Sequence, residues 1–132
     1  MNTDPVNTDP VEEARHYVNN ARQILSQKAE KEDGYYKDPK YVKTAGHQAY
    51  TGVLVALDGI IPAPKRGRRS EEWYRKNLAV LDQKLLDTFN DAYNSLHLAM
   101  GYDGNRSASV AEAGLQEAER IISWVENRLR NA

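Results

Sequence analysis

The residues of this chain best suited to acid–base or metal chemistry are its three histidines, His16, His47 and His97. The sequence predicts each of them on a different helix, so they could converge as metal ligands inside a bundle. Glu13 precedes His16 at the spacing seen in carboxylate-bridged metal bundles, but the other two histidines have no glutamate three residues before them. We therefore expect edge or core histidines, no metal and no cofactor. A metal-binding or enzymatic bundle around His47 is one alternative.

Five residues line one side of an otherwise apolar segment, and all except Leu54 are polar or ionisable: His47, Tyr50, Thr51, Leu54 and Asp58. An unpaired charge on a buried helix is costly, so these groups need partners. One interpretation is a polar pocket in which His47 and Asp58 act as acid and base or contact a ligand. The favoured one is that His47 and Tyr50 hydrogen-bond across the bundle while Asp58 reaches solvent. Asp58 also lies near the negative end of its helix, which predicts a basic neighbour.

A loop with four cations in five residues is the strongest local concentration of charge: Lys65, Arg66, Arg68 and Arg69. Such a cluster could contact phosphates, and each contact would steepen the salt dependence of binding. The neighbouring residues are prolines and, from Glu71, carboxylates rather than interleaved aromatic residues. The pattern favours a solvated loop, with nucleic-acid or nucleotide binding through residues 65–69 as an alternative.

Composition limits the remaining classes of function. The 132 residues contain no cysteine and have a formal net charge of −1, which excludes disulfides and thiolate sites and gives no global signal for nucleic acid or a membrane. The polar first residues do not form a signal peptide, and no apolar run spans a bilayer. We expect a cytoplasmic protein with a flexible tail at 1–9 and one domain at 10–132.

Four amphipathic segments with helical spacing of apolar residues fill the rest of the chain. They are predicted from about Pro10 to Lys31, Asp38 to Ile61, Ser70 to Met100 with a break near Asn77, and Val110 to Arg130. Start signals precede them at Asp9, Asp38, Ser70 and Ser109, and Asp33-Gly34 is expected to end the first. No segment has a strand pattern. These features predict an all-α, antiparallel four- to five-helix bundle with up-down topology.

The second segment is predicted to be the enclosed central helix. Its small residues Ala45, Ala49, Gly52 and Ala56 recur at spacings of four, three and four, which forms a smooth stripe that a neighbouring helix can approach closely. A glycine inside a helix costs ~1 kcal/mol relative to alanine, and close packing at Gly52 would offset that loss.

The C-terminal half resembles the HEPN family of helical bundles. The resemblance rests on Tyr93–Gly104 (YNSLHLAMGYDG), on the capped helix that ends IISWVENRL at Ile121–Leu129, and on the apolar run after Ala49-Tyr50. The ribonucleases of that family carry an arginine, a polar residue and then a histidine. Here the nine residues that end at His97 contain no arginine, so no catalytic residue is carried over. The resemblance implies a non-nuclease member that binds or pairs, similar to small uncharacterised bacterial helical proteins.

Together these patterns predict a non-catalytic interaction protein rather than an enzyme. We expect a homodimer or another protein partner, because Ile24 and Trp124 broaden the apolar stripes of the first and last helices. The aromatic residues Tyr35, Tyr36 and Tyr41 form a second candidate contact surface around the first loop.

Overall fold

The computed structural model describes residues 9–131, and their fold is an all-α bundle with one small hairpin. The elements, in chain order, are α1 (Pro10–Gln27), β1 (Lys31–Glu32), β2 (Tyr35–Tyr36), α2 (Pro39–Asp58), α3 (Glu71–Leu81), α4 (Gln83–Ala92), a π-helix (Tyr93–Tyr102) and α5 (Ala108–Arg130). The predicted fold class is confirmed. The tail predicted at 1–9 lies outside the described residues except for Asp9.

Three of the four predicted helix starts are confirmed by side-chain caps. Asp9 accepts a hydrogen bond from the Val11 amide at 2.9 Å, and Asp38 accepts one from the Lys40 amide at 2.9 Å. Ser70 caps α3 in the same way. The fourth prediction is wrong by two residues, because Ser107 rather than Ser109 caps α5. All four caps satisfy backbone donors that have no partner inside the helix.

α2 is packed on three sides, as its small residues predict. α1, the π-helix and α5 all contact it, and its inward residues are fully or almost fully buried. A Cβ atom added at Gly52 would lie 2.9 Å from the Ala14 carbonyl oxygen, so α1 approaches here as closely as backbone allows. The helix is not enclosed all round, however: Thr44, His47 and Thr51 are exposed along its outward row.

The first connection contains a hairpin that the sequence analysis did not predict. α1 ends at Gln27 instead of Lys31, and the chain turns through Asp33 and Gly34 with φ angles of 54° and 85°. Two successive positive φ angles are what a two-residue type I′ hairpin turn requires, and Asp-Gly suits it. Asp33-Gly34 is therefore the turn between β1 and β2 and not the end of the first helix.

The long third segment is divided in two and then changes its helix type. The break is at Asp82, not near Asn77: Asp82 has an extended backbone, its amide closes α3 on the Leu78 carbonyl, and its carboxylate caps α4 at the Leu85 amide. From Tyr93 the backbone widens into a π-helix of 10 residues. α2 correspondingly ends at Asp58, three residues before the predicted end.

Contacts between segments that are distant in the sequence define the two ends of the antiparallel bundle. Pro10 lies against Gly59 at one end, and the amide of Ala108 donates to the Gly34 carbonyl at the other. Arg22 joins α1 to α5 through Glu112 and Glu119, at 3.2 and 3.0 Å. None of the helices in residues 9–131 combines the length and the apolar character that a bilayer span requires.

Candidate binding site on the outward face of α2 and the π-helix

A row of side chains on α2 points away from the bundle core. Lys43, His47 and Thr51 are exposed, and Leu54 and Asp58 are half-buried. Their spacings of three and four residues place them on one face of the helix. The row therefore begins with a cation, ends with a carboxylate and is uncharged between them.

The π-helix lies beside this row because glycines remove the side chains that would separate it from α2. A Cβ atom at Gly46 would lie 2.6 Å from the Leu96 carbonyl oxygen, and one at Gly101 would lie 3.1 Å from the His47 ring. Long π-helices are rare, and π-type turns occur frequently at functional sites. The wider turn and the close approach together bring the ring of His97 against α2.

His97 packs against two tyrosines that also contact each other. Its imidazole stacks on Tyr93 with ring centroids 5.0 Å apart and lies tilted by 36° against Tyr50 at 4.9 Å, while the two tyrosine rings meet edge-on at 5.9 Å. The exposed imidazole of His47 meets that of His97 edge-on at 6.4 Å. Burial raises the pKa of the Tyr50 phenol, with smaller contributions from Glu71 and Tyr93. Two histidines and two tyrosines thus form one aromatic cluster.

The imidazoles of the cluster are held by ring contacts rather than by hydrogen bonds to the described residues. The Nδ1 atom of His97 is buried without a hydrogen-bond partner, and no side chain among residues 9–131 hydrogen-bonds either imidazole. Neither His47 nor Tyr50 makes a side-chain hydrogen bond with the described residues, so the hydrogen bonds predicted for them across the bundle are not found there; both rings contact His97 instead. A general base is normally oriented by a third group and faces a nucleophile or a water. The described residues supply no such orienting group to either imidazole.

Asp58 closes the row at the far end of α2 and has the basic neighbour that its position predicts. Its Oδ1 accepts a hydrogen bond from the Tyr74 hydroxyl at 2.8 Å, and Arg69 approaches Oδ2 at 3.3 Å. Burial, followed by this bond, raises the pKa of Tyr74. The guanidinium of Arg69 also lies 5.9 Å above the Trp73 ring, which is half-buried against the core.

The basic loop, residues 65–69, divides into two parts. Arg69 is anchored by Asp58, whereas Lys65, Arg66 and Arg68 are exposed and make no ion pair with the described residues. Of the predicted site residues, the structure thus brings Asp58 and Arg69 into contact and places His47 beside Tyr50. It does not bring the other three cations to the histidines.

Three further residues of this site were missed by the sequence analysis: Tyr93, Tyr74 and Arg75. The guanidinium of Arg75 lies 4.8 Å above the Tyr93 ring and donates to the Asn90 side chain at 2.8 Å. Tyr93 and His97 are four residues apart, and His47 and Tyr50 are three apart, so each pair has helical spacing that could have indicated the cluster. Arg75 had no such signal, because its contact depends on the bend at Asp82.

Residues 9–131 contain no second candidate site that is as well defined as this one. No group of three or more His, Cys, Asp or Glu side chains within residues 9–131 is arranged to hold a metal ion. A surface cleft of about 580 Å³ lies between α1, the hairpin and α5, but its central Arg22 is already paired with Glu112 and Glu119. Ile24 and Trp124 line different clefts and do not form one face.

The comparisons with known proteins agree with the fold and identify the family. Residues 9–127 match the family described as "Domain of unknown function (DUF5618)". The geometry defines an all-α helical bundle with one small hairpin. The chain belongs to the DUF5618 family. A solved structure of a "protein of unknown function from Dyadobacter fermentans" is similar, with 53% identity and a TM-score of 0.88 over 90% of this chain and 95% of that chain. No curated protein matches.

Proposed function

We propose that this protein is a non-catalytic, self-associating interaction protein with a HEPN-like bundle. We call the outward side chains of α2 from His47 to Leu54, with those of the π-helix from Tyr93 to Leu98, the uncharged face. The carrying observation is that residues 44–57 and 92–102 contain no Asp, Glu, Lys or Arg, in a chain that is 28% charged. Both stretches nevertheless have exposed and half-buried positions.

This distribution is what a protein interface requires. The centre of an interface is depleted in charge and enriched in aromatic residues, and its rim is polar. Here the exposed His47 and the half-buried Tyr93 and His97 lie within the face, above the buried Tyr50, while Lys43, Asp58 and Arg75 lie at its margins. A buried polar atom without a partner costs about 1–3 kcal/mol, so the Nδ1 atom of His97 weakens the fold. His97 thus contributes ring surface to the face rather than hydrogen bonds within the described fold.

The HEPN-like assignment is part of the same proposal. His97 lies on the helix that precedes the capped α5, in the segment that resembles that family. The guanidinium nearest to this cluster belongs to Arg75, which contacts the Tyr93 ring and Asn90. An arginine with these contacts is held in place by the fold. This supports a HEPN-like protein without nuclease activity.

Light scattering after size exclusion, over a wide range of protein concentrations, tests self-association. We expect a mass that rises towards twice 15.0 kDa for the wild type. His47→Glu should shift the protein to the monomer, because it places a charge in the uncharged face. His16→Glu is the matched control, since His16 is also an exposed helical histidine but lies on α1. A wild type that stays monomeric at the highest concentration would contradict the proposal.

A second candidate function is binding of single-stranded nucleic acid or a nucleotide through the basic loop. The observation that favours it is that Lys65, Arg66 and Arg68 are exposed without ion-pair partners in the described chain. Fluorescence anisotropy with a labelled RNA, titrated at several salt concentrations, measures it. Removal of all three side chains as alanines should flatten the log–log salt slope by about 0.7 for each lost phosphate contact.

The matched control for that experiment removes the same number of charges elsewhere. Lys76, Lys84 and Arg128 are exposed on α3, α4 and α5 and can be replaced by alanine together. If the control lowers RNA binding as much as the loop variant does, the interaction is a general charge effect and the loop is not a site.

A further inference from the structure

We infer that two copies of this chain pair through α2 in antiparallel orientation, about a two-fold axis that passes between Tyr50 and Thr51. This inference rests on the proposed self-association and adds its geometry. A two-fold interface is made of the same patch on both subunits, so the patch must be complementary to itself. The outward row of α2 has that property.

The symmetry can be seen in the positions of the charged residues. Lys43 and Asp58 lie at equal distances along the chain from the midpoint between Tyr50 and Thr51. In an antiparallel pair centred there, each lysine faces the aspartate of the second copy. His47 and Leu54 are also equidistant from that midpoint, so each imidazole faces an apolar side chain. The short side chain of Thr51 lies at the crossing, where two helices need close approach.

Both charged groups are available for this contact. Lys43 is exposed and makes no ion pair with the described residues. Asp58 has already bound Tyr74 through Oδ1 and Arg69 through Oδ2, but 29% of its side-chain surface remains exposed. A carboxylate has about four acceptor positions, so two remain for a lysine of a second copy. The ion pairs would lie at the rim, where they determine register more than affinity.

The alternative orientation is disfavoured by the same residues. In a parallel pair each Lys43 would face the other Lys43, and each Asp58 the other Asp58. Like charges in direct contact cost free energy. Arg69 would offset the two aspartates in part, but no carboxylate lies between positions 44 and 57 to offset the two lysines. The charged residues of this row therefore favour the antiparallel orientation of the two α2 helices.

Cysteine cross-linking tests this register, because the native chain contains no cysteine. Thr51→Cys places a thiol next to the axis, where two Cα atoms can come within the ~4.4–6.8 Å that a disulfide needs. Thr44→Cys is the matched control on the same helix. In the antiparallel pair its two thiols would be 13 positions apart along α2, roughly 20 Å at 1.5 Å per residue. Both sites are exposed threonines, so neither change should impair folding.

After mild oxidation we expect a covalent dimer of the Thr51→Cys protein on a non-reducing gel and little from Thr44→Cys. Equal cross-linking of both, or of Thr44→Cys alone, would overturn the register. So would the absence of a cross-link at Thr51 while light scattering still shows a dimer; in that case the proposed self-association stands without this geometry. A monomeric wild type would overturn both.

A charge reversal provides an independent test. Lys43→Glu places two carboxylates against each other at both ends of the pair and should weaken dimerisation on the order of tenfold. Lys28→Glu makes the same charge change at an exposed position outside the uncharged face and should leave dimerisation unchanged. Equal effects of the two variants, or none from Lys43→Glu, would contradict the predicted contact between Lys43 and Asp58.

Discussion

Replacement of Gly46 by alanine should destabilise the protein, although alanine is the better helix former. An added Cβ atom would lie 2.6 Å from the Leu96 carbonyl oxygen, 2.7 Å from the Gly101 nitrogen and 2.7 Å from the Met100 Cβ. Ordinary contacts begin at 3.4 Å, so α2 and the π-helix must separate by several tenths of an ångström. All three atoms belong to the backbone or are attached to it, so no flexible side chain can move aside.

The expected magnitude follows from two opposing effects. Overpacking a well-packed core costs about 1–3 kcal/mol, and sometimes more when only backbone can move. The exchange of glycine for alanine in a helix returns up to ~1 kcal/mol. Because only backbone can move here, the cost lies towards the upper end of that range, and we expect the free energy of unfolding to fall by about 1–2 kcal/mol and the melting temperature by roughly 4–8 °C.

Urea denaturation followed by circular dichroism measures this change, with Thr51→Ala as the control. Thr51 is exposed on the same helix, and its hydroxyl bonds only to the His47 carbonyl, so its replacement should stay within about 0.5 kcal/mol of the wild type. A Gly46→Ala protein as stable as the wild type, or more stable, would show that the π-helix does not lie as close to α2 as described.

Three further changes test the site and its surroundings. His97→Phe keeps an aromatic ring in contact with Tyr50 and Tyr93 but removes the unpartnered Nδ1 atom, so it should raise the free energy of unfolding by about 1 kcal/mol in urea while weakening self-association. Asp58→Asn loses the ion pair to Arg69 and should lower the free energy of unfolding by about 1 kcal/mol or less, with the difference shrinking in high salt. Because burial raises the pKa of Tyr50 and Tyr74 above 10.0, the native state retains these protons longer than the unfolded chain; stability should fall as the pH rises past that value, and Tyr50→Phe should reduce the fall.

Local sequence signals were sufficient for the helices and for most of their starts. Asp9, Asp38 and Ser70 act through the few residues that follow them, so their roles can be predicted without knowledge of the fold. The same holds for Gly52, whose place in a row of small residues predicts a close neighbour. The bulk of the core follows from the spacing of apolar residues.

The parts that could not be predicted depend on contacts between distant segments. The π-helix at Tyr93–Tyr102 could not be predicted from local spacing, because it depends on close packing against α2, where its Gly101 faces His47 and its Leu96 faces Gly46. Asp82 has the features of a cap, yet an uninterrupted apolar stripe masks the break there. The hairpin needed Asp33-Gly34 to be interpreted as a turn between strands, although each strand is only 2 residues long.

The candidate site shows the same division. The side of α2 that carries His47, Tyr50 and Asp58 follows from helical spacing, and the basic neighbour of Asp58 follows from its place at a helix end. The identity of that neighbour, Arg69, depends on how the 59–70 connection returns to α2. The position of His97 against Tyr50 depends on the path of the π-helix, which no local pattern determines.

Nuclear magnetic resonance of the three imidazoles across a dilution series tests the proposed interface most directly. His47 and His97 belong to the uncharged face, and His16 lies on α1 outside it. We predict that the ring signals of His47 and His97 shift together as the protein is concentrated, with one common midpoint, while those of His16 stay constant. Signals of His47 and His97 that do not change with concentration, or a shift confined to His16, would contradict the assignment of this face as the surface through which the protein associates.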